Sequence, residues 1–240
     1  LYECHRTFYH PSNLVLVVCG RVRLSTILEI CDRLLPESAP LPVVRKNTAV
    51  DEPREVLSRY GELIMQVSRP IFSIGIKDTV IPLTPAERLK RHLCVSLVNQ
   101  LLFSGSGELF ELLFEKNLLS DPLFYSYTTN ENFAFITLSG ESDDPEALFC
   151  EIKSYLEKIK LEGFAESDFE ICRRVALANF VKNFDSAENI ANLLFSYVCD
   201  GSDLFWVVPL INQITLSDAN ALVRSLFSEE KMTLAAVKPN

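Results

Sequence analysis

Residues 8–13, Phe-Tyr-His-Pro-Ser-Asn, run directly into residues 14–20, Leu-Val-Leu-Val-Val-Cys-Gly. A polar turn here is followed by a continuous apolar segment that ends on a glycine. Such a segment predicts a strand that is buried on both faces. Only a short extended stretch precedes it, so little of the chain before it is available to cover it. We therefore expect residues 1–35 to be the tail of an upstream domain, containing its last strand and a helix.

The composition excludes several classes of function. The chain has 240 residues, a net charge of −9 and 48% hydrophobic residues. An acidic balance argues against nucleic acid and against an anionic membrane surface as partners. The sequence has no uninterrupted apolar run of the roughly 18–20 residues that a membrane span needs. Its seven cysteines include no Cys-x-x-Cys pair. Most lie among apolar residues and are expected to be small buried side chains, which favours a reducing compartment and predicts a cytoplasmic location.

A proline-rich segment divides the chain. Residues 23–35 have the apolar pattern of a helix, and residues 36–59 then lose all periodicity. Four prolines lie between positions 36 and 53. Proline removes a backbone donor and fixes φ, so such a stretch is typical of a linker. We therefore predict a linker over 36–59 and a second domain over 60–240.

The second domain mixes strands and helices without strict alternation. Two strands are predicted around 61–69 and 70–78, and a helix begins at Thr84, where a Thr-Pro-Ala-Glu sequence supplies a capping signal. Glycines at 105 and 107 separate this helix from a shorter one over 108–116. The remaining predicted elements are a hairpin over 123–139, helices near 144–160, 165–184, 187–199, 203–213 and 216–227, and a strand over 232–237. This order predicts an α+β fold with a mixed, largely antiparallel sheet and helices on one face.

No local motif supplies catalytic chemistry. The only histidines are His5, His10 and His92, and no two are spaced to bind one zinc ion from a helix. His92 falls on a predicted polar helix face with Ser96 and Asn99, where contact with solvent or a partner is expected. The sequence has no Gly-x-Ser-x-Gly nucleophile motif. We therefore predict no catalytic residue and no metal ligand in this chain.

Several stretches, taken in order, resemble the pitrilysin-type zinc peptidases, which include insulinase and the mitochondrial processing peptidase. Residues 8–20 are similar to a Tyr-x-Pro-x-Asn segment that leads into the last strand of an N-terminal αβ domain. Residues 106–116 and 123–127 are similar to a helix and the strand after it in the following domain. Residues 213–219 and the closing strand also fit, so the resemblance covers nearly the whole chain.

The resemblance implies that this chain is the C-terminal, non-catalytic domain of a divergent bacterial member. The zinc motif, His-x-x-Glu-His, would lie upstream of Leu1, so the chain itself would hold no cofactor. In active members an Arg and a Tyr of this domain contact the substrate. Tyr125 matches that Tyr and is the predicted substrate contact, whereas Phe114 stands where the Arg is expected. The alternative for Tyr125 is a tyrosine packed inside the sheet.

The resemblance also implies the partners. The domain would help to form a peptide-binding chamber and would contact a catalytic half, either an upstream domain or a homologous second subunit. Because Phe114 replaces the Arg, the alternative is an inactive structural or interaction partner that has lost peptidase function. The isolated chain is expected to cleave nothing alone. Apolar surface left by a missing first domain would favour a dimer of this chain.

Overall fold

A computed structural model describes residues 1–35, 53–81, 84–130 and 132–240. These residues divide into two compact units. One unit combines Leu1–Ala49 with Asn179–Leu204, and the other combines Val50–Ala178 with Phe205–Asn240. Most of the predicted linker, residues 36–52, lies outside the described residues. The assignment of residues 1–35 to an upstream domain stays a prediction.

From residue 60 onward, helices and strands follow the predicted order. The described α-helices are α1 (Tyr2–Phe8), α2 (Leu24–Leu34), α3 (Pro85–Phe103), α4 (Glu108–Glu115), α5 (Pro145–Glu162), α6 (Glu166–Lys182), α7 (Ala187–Asp200), α8 (Val207–Gln213) and α9 (Leu216–Leu226). The described strands are β1 (Tyr60–Met65), β2 (Ile71–Asp78), β3 (Phe124–Thr129), β4 (Ala134–Glu141) and β5 (Met232–Pro239). Short 3-10 turns lie at Pro11–Asn13, Asn183–Asp185, Leu204–Trp206 and Glu229–Lys231.

The five strands form one mixed sheet in the order β1-β5-β2-β4-β3. The β1–β5 pair is parallel, and the β5–β2, β2–β4 and β4–β3 pairs are antiparallel. The predicted hairpin is present, with Tyr125 opposite Leu138. The predicted α+β class with a mixed, mostly antiparallel sheet is therefore confirmed.

One face of the sheet carries the hydrophobic core. Along β2 the side chains alternate between buried and partly exposed, as the apolar alternation predicts. The helices that pack beside it are α3, α5 and α9. The buried strand residues are Phe72, Ile74, Ile76, Ala134, Ile136, Leu138, Met232, Leu234 and Ala236. We call this side of the sheet the covered face.

Local signals fix the helix ends. Thr84 accepts a hydrogen bond from the Glu87 backbone N–H at 3.3 Å, and the Glu87 carboxylate accepts one from the Thr84 N–H at 3.3 Å. This reciprocal capping box starts α3 as the sequence predicts. The α3–α4 stretch Pro85–Glu115 is long and apolar enough by composition to cross a membrane. Eight side chains of α3 are buried, however, as in a core helix of a globular domain.

The segment at 14–20 differs from its sequence expectation. The structure has no strand there, and Leu14 and Leu16 are exposed. The predicted extended stretch before it contains α1 (Tyr2–Phe8) and a 3-10 turn. An extended segment becomes a sheet strand only when a neighbouring strand supplies backbone partners. None of the described strands pairs with these residues.

Candidate functional site

The second side of the sheet carries no buried residue. Its described side chains are all half-buried or exposed. The strand registers bring together Gly61, Leu63, Met65, Ile71, Ser73, Gly75, Lys77, Phe124, Ser126, Thr128, Phe135, Thr137, Ser139, Glu141, Thr233, Ala235, Val237 and Pro239. We call this side the open face.

The open face has a small, uncharged centre and apolar flanks. The register aligns Ala235, Ser73 and Ser139 in one row across the sheet, and Thr233, Gly75 and Thr137 in the next. Charged residues lie only at the strand ends. Small side chains let another backbone approach a sheet closely, whereas large ones hold it away. The centre of this face therefore leaves room for another backbone to approach closely.

A cavity of about 430 Å³ adjoins one flank of the open face. Its walls include Ile71 from β2, Phe124 from β3 and Pro122 from the segment that precedes β3. Phe124 is 80% exposed, which is unusual for an aromatic side chain. The volume lies in the range of ligand-binding clefts. This flank therefore adds a recess of mixed polarity, because Arg69, Asp121 and Glu141 also line it.

A buried ionic network joins β2, α3 and β3 on the covered face. Asp78 is 2% exposed and receives two hydrogen bonds from the Arg91 guanidinium, each 2.7 Å long. The Tyr127 hydroxyl donates to the same carboxylate at 2.8 Å, and the Val80 backbone N–H donates at 3.0 Å. A two-pronged guanidinium contact fixes geometry as well as charge. The network therefore holds three elements in register.

The network changes the proton affinity of its members. Burial and the neighbouring Asp78 carboxylate raise the pKa of Tyr127 above its ordinary value. Burial tends to lower the pKa of Arg91, but its hydrogen bonds to Asp78 outweigh this and raise it. Both effects favour one protonation state, with Arg91 charged and Tyr127 neutral. Such an arrangement acts as a structural clamp between β2, α3 and β3.

Tyr125, the predicted substrate contact, lies on the covered side of β3. It is half-buried, and its ring centroid is 6.2 Å from that of the buried Phe103. Burial raises the pKa of its hydroxyl. Within the described residues this hydroxyl has no hydrogen-bond partner. The role of Tyr125 in substrate binding stays a prediction.

Phe114, at the position where the resemblance implies an arginine, lies near the end of α4. Its side chain is 56% exposed, and its ring centroid is 6.0 Å from that of Phe110. A phenyl ring offers no hydrogen-bond donor to a substrate carbonyl. This position therefore presents an apolar surface in place of a cationic one.

The donor residues do not fit a zinc site. Within the described ranges no group of three His, Cys, Asp or Glu side chains is close enough to hold a metal ion. His5 stacks on Tyr9 with ring centroids 5.2 Å apart, and His92 lies 5.5 Å from the Tyr127 ring. The His10 Nδ1 accepts from the Ser12 backbone N–H at 3.2 Å. Each imidazole therefore has a local contact on a different element.

Two sequence expectations on α3 and on the cysteines need correction. Asn99, expected on a polar helix face, is 2% exposed, and its Oδ1 has no partner among the described residues. Most cysteines were expected to be buried. Only two of the seven are, Cys94 and Cys172, and burial raises their thiol pKa values to about 11 and about 12. The packing of neighbouring elements decides whether Asn99 and the cysteines are buried, and this packing cannot be read from the spacing of residues in the sequence.

Comparison with known proteins identifies the family. The peptidase M16 inactive domain matches residues 1–175. The chain is 29% identical to "Uncharacterized zinc protease YmfH" of Bacillus subtilis, over 100% of this chain and 56% of that protein. It is 21% identical to "Zinc protease PqqE" of Helicobacter pylori, over 98% of this chain and 53% of that protein. The chain therefore spans about half the length of the curated relatives it matches.

A solved structure shares the fold. The crystal structure of a protease from Helicobacter pylori superposes with a TM-score of 0.77 at 21% sequence identity. The alignment covers 99% of this chain and 58% of that one. The fold match and the family match agree with the ordered motifs in the sequence. This chain belongs to the peptidase M16 inactive-domain family.

Proposed function

We propose that this chain is the non-catalytic half of a zinc peptidase-like protein and that its open face forms one wall of a peptide-holding chamber. One observation carries the proposal. Helices cover one face of the sheet, whereas no residue on the other face is buried across all five strands. A sheet face of this size is normally covered by a second layer. A peptide and a second half of the protein would supply that layer.

The composition of the open face supports a peptide as its ligand. Its centre holds small hydroxyl and glycine residues, and its flanks hold Phe124, Phe135 and Leu63. Backbone groups of an extended peptide hydrogen-bond well to serine and threonine hydroxyls. Apolar peptide side chains would contact the aromatic flanks and the recess beside Phe124. The face therefore suits peptides of varied sequence held in an extended form.

The zinc ion and its ligands would belong to the other half. The relatives named above are described as zinc proteases, and each is nearly twice as long as this chain. An upstream domain or a homologous second subunit would supply the His-x-x-Glu-His set and the general base. Tyr125 lies on the covered side of β3 against Phe103, so a peptide on the open face would not reach it, and its position supports the alternative of a tyrosine packed in the sheet. The seven free cysteines support a cytoplasmic location.

The first experiment uses the chain alone. We expect zinc and an unstructured peptide to give no stoichiometric metal binding and no chelator-sensitive cleavage. A peptide that carries a photoreactive benzophenone should crosslink to strands of the open face, as mapped by mass spectrometry. Thr137→Arg, in the centre of that face, should reduce the crosslinking yield. Ser154→Arg, on an exposed position of α5, is the matched control. Crosslinks found only on helices would contradict the proposal.

A second function is favoured by the exposed Phe114. The loss of a cationic substrate contact is consistent with an inactive structural partner that has kept the fold and lost peptidase activity. The coding sequence on either side of this chain separates the two functions. A His-x-x-Glu-His motif there supports a peptidase, and its absence supports the inactive partner. Phe114→Arg would then raise peptide affinity only in the peptidase.

A further inference from the structure

Among the residues that the structure describes, strand β1 pairs only with β5 and forms one edge of the sheet. All six of its residues are exposed, and Leu63, Ile64 and Met65 are 63%, 64% and 53% exposed. Soluble proteins protect such edges with proline, lysine, bulges or a covering element. Residues 60–65 contain no proline and no lysine, and their pairing with β5 is uninterrupted. This edge is therefore open to pairing with another strand.

The backbone direction of β1 shows which of its N–H and C=O groups are available to pair with another strand. The Arg59 carbonyl accepts from the Leu234 N–H at 3.0 Å, so residue 59 faces β5. Because successive residues of a strand point their backbone groups to opposite sides, residues 61, 63 and 65 also face β5. The N–H and C=O groups of Glu62 and Ile64 consequently point away from the sheet. An incoming strand would pair with these groups.

We infer that β1 pairs antiparallel with the β1 strand of a second copy of this chain, about a two-fold axis normal to the sheet. A two-fold axis in this direction keeps both covered faces on the same side. Residues that lie directly opposite each other on the two β1 strands must therefore both point to the open face or both point to the covered face. Two registers satisfy this while keeping five residues of each strand paired, one centred on Glu62 and the other on Leu63.

Charge decides between the two registers. Centring on Glu62 would set two carboxylates directly opposite each other, which is destabilising. Centring on Leu63 sets Leu63 opposite its own copy and Glu62 opposite Ile64. It also sets Met65 opposite Gly61. Apolar residues then meet at the centre, and no like charges are directly opposed.

The surroundings of β1 fit the Leu63 register. A Cβ atom placed on Gly61 would have nothing within 4 Å, which leaves room for Met65 of the second copy. The Lys238 ammonium lies 2.9 Å from the Glu62 carboxylate and 2.8 Å from that of Glu146, so Glu62 would enter the interface already paired. The result would be one continuous sheet of two chains. This inference goes beyond the proposed function and does not depend on it.

Sedimentation equilibrium of the 240-residue chain tests the association. We expect a monomer–dimer equilibrium, and Leu63→Lys should raise the dimer Kd at least about tenfold because two ammonium groups would then face each other. Ser126→Lys, on the strand at the opposite edge, is the matched control and should leave the Kd unchanged. Far-UV circular dichroism checks that both variants fold. A monomer at concentrations up to about 100 μM, or a dimer that Leu63→Lys leaves intact, would overturn the inference.

Disulfide trapping tests the register. Opposed residues on antiparallel strands have Cα atoms about 4.5–5.5 Å apart, within the range of a disulfide. Under oxidising conditions Leu63→Cys should give a covalent dimer whose linked peptides, identified by mass spectrometry, both contain position 63. Glu62→Cys should not crosslink through position 62. Crosslinking of Glu62→Cys without that of Leu63→Cys would contradict the pairing we infer.

Discussion

Removing the carboxylate of Asp78 should destabilise the sheet domain strongly. In Asp78→Ala the Arg91 guanidinium loses both of its 2.7 Å hydrogen bonds, and the Tyr127 hydroxyl loses its 2.8 Å acceptor. Asp78 is 2% exposed. The donors of Arg91 and Tyr127 therefore lose an acceptor that lies in the interior of the domain. The Arg91 side chain is left partly buried without the carboxylate that pairs with it.

The magnitude follows from the burial of the pair. Removing one partner of a buried ion pair costs about 3–5 kcal/mol. The Arg91 side chain is 17% exposed, which allows some hydration and favours the lower end of that range. We therefore expect a loss of about 3 kcal/mol in the free energy of unfolding. For a chain of this size that corresponds to a fall in Tm of about 6–12 °C.

Urea unfolding followed by circular dichroism measures the effect. Arg69→Ala is the control because the Arg69–Asp143 pair is 3.2 Å long but exposed, so its loss should cost less than about 1 kcal/mol. Adding Arg91→Met to Asp78→Ala should recover part of the loss, since no unpaired charge then remains. A cost for Asp78→Ala similar to that of Arg69→Ala would refute the reasoning. So would an additive double variant.

Three further predictions concern local features. Burial and Asp78 raise the pKa of Tyr127 above its ordinary value of 10.0. The stability this group supplies is then present below pH 10 and lost as the pH rises above it, so Tyr127→Phe should flatten the alkaline fall in the free energy of unfolding. Thr84→Ala removes a helix cap and should cost about 1 kcal/mol in urea unfolding. Gly105→Ala would bring its methyl group within 2.8 Å of the Pro122 ring and should cost about 1–3 kcal/mol, whereas Gly61→Ala, with open space around it, should cost little.

Much of the fold was predictable because its signals are local. The alternation along residues 71–78 identifies a half-covered strand, and the capping box at Thr84 fixes the start of α3. The hairpin over 124–141 follows from two apolar runs joined by polar residues. The segment at 14–20 shows the limit of such signals, because an apolar run forms a strand only when another strand pairs with it.

The candidate site was predictable only in part. The alternation that places Phe72, Ile74 and Ile76 on the covered face also places Asp78 there, so a buried carboxylate was detectable from the sequence. Its partners were not, because Arg91 and Tyr127 lie 13 and 49 residues further along the chain. The sequence likewise predicted Tyr125 as a substrate contact, which stays a prediction, but it did not reveal that Tyr125 lies on the covered side of β3.

The sequence by itself determined the fold class, the order of the elements and the absence of a zinc-binding histidine motif, since each depends on residue types at short spacing. Only the tertiary structure decided which face of the sheet remains open, that Asp78 is neutralised by Arg91, and that β1 lies exposed at an edge beside β5. These features depend on which distant segments become neighbours. Strand order and register set those neighbours, and they arise from the packing of the whole domain.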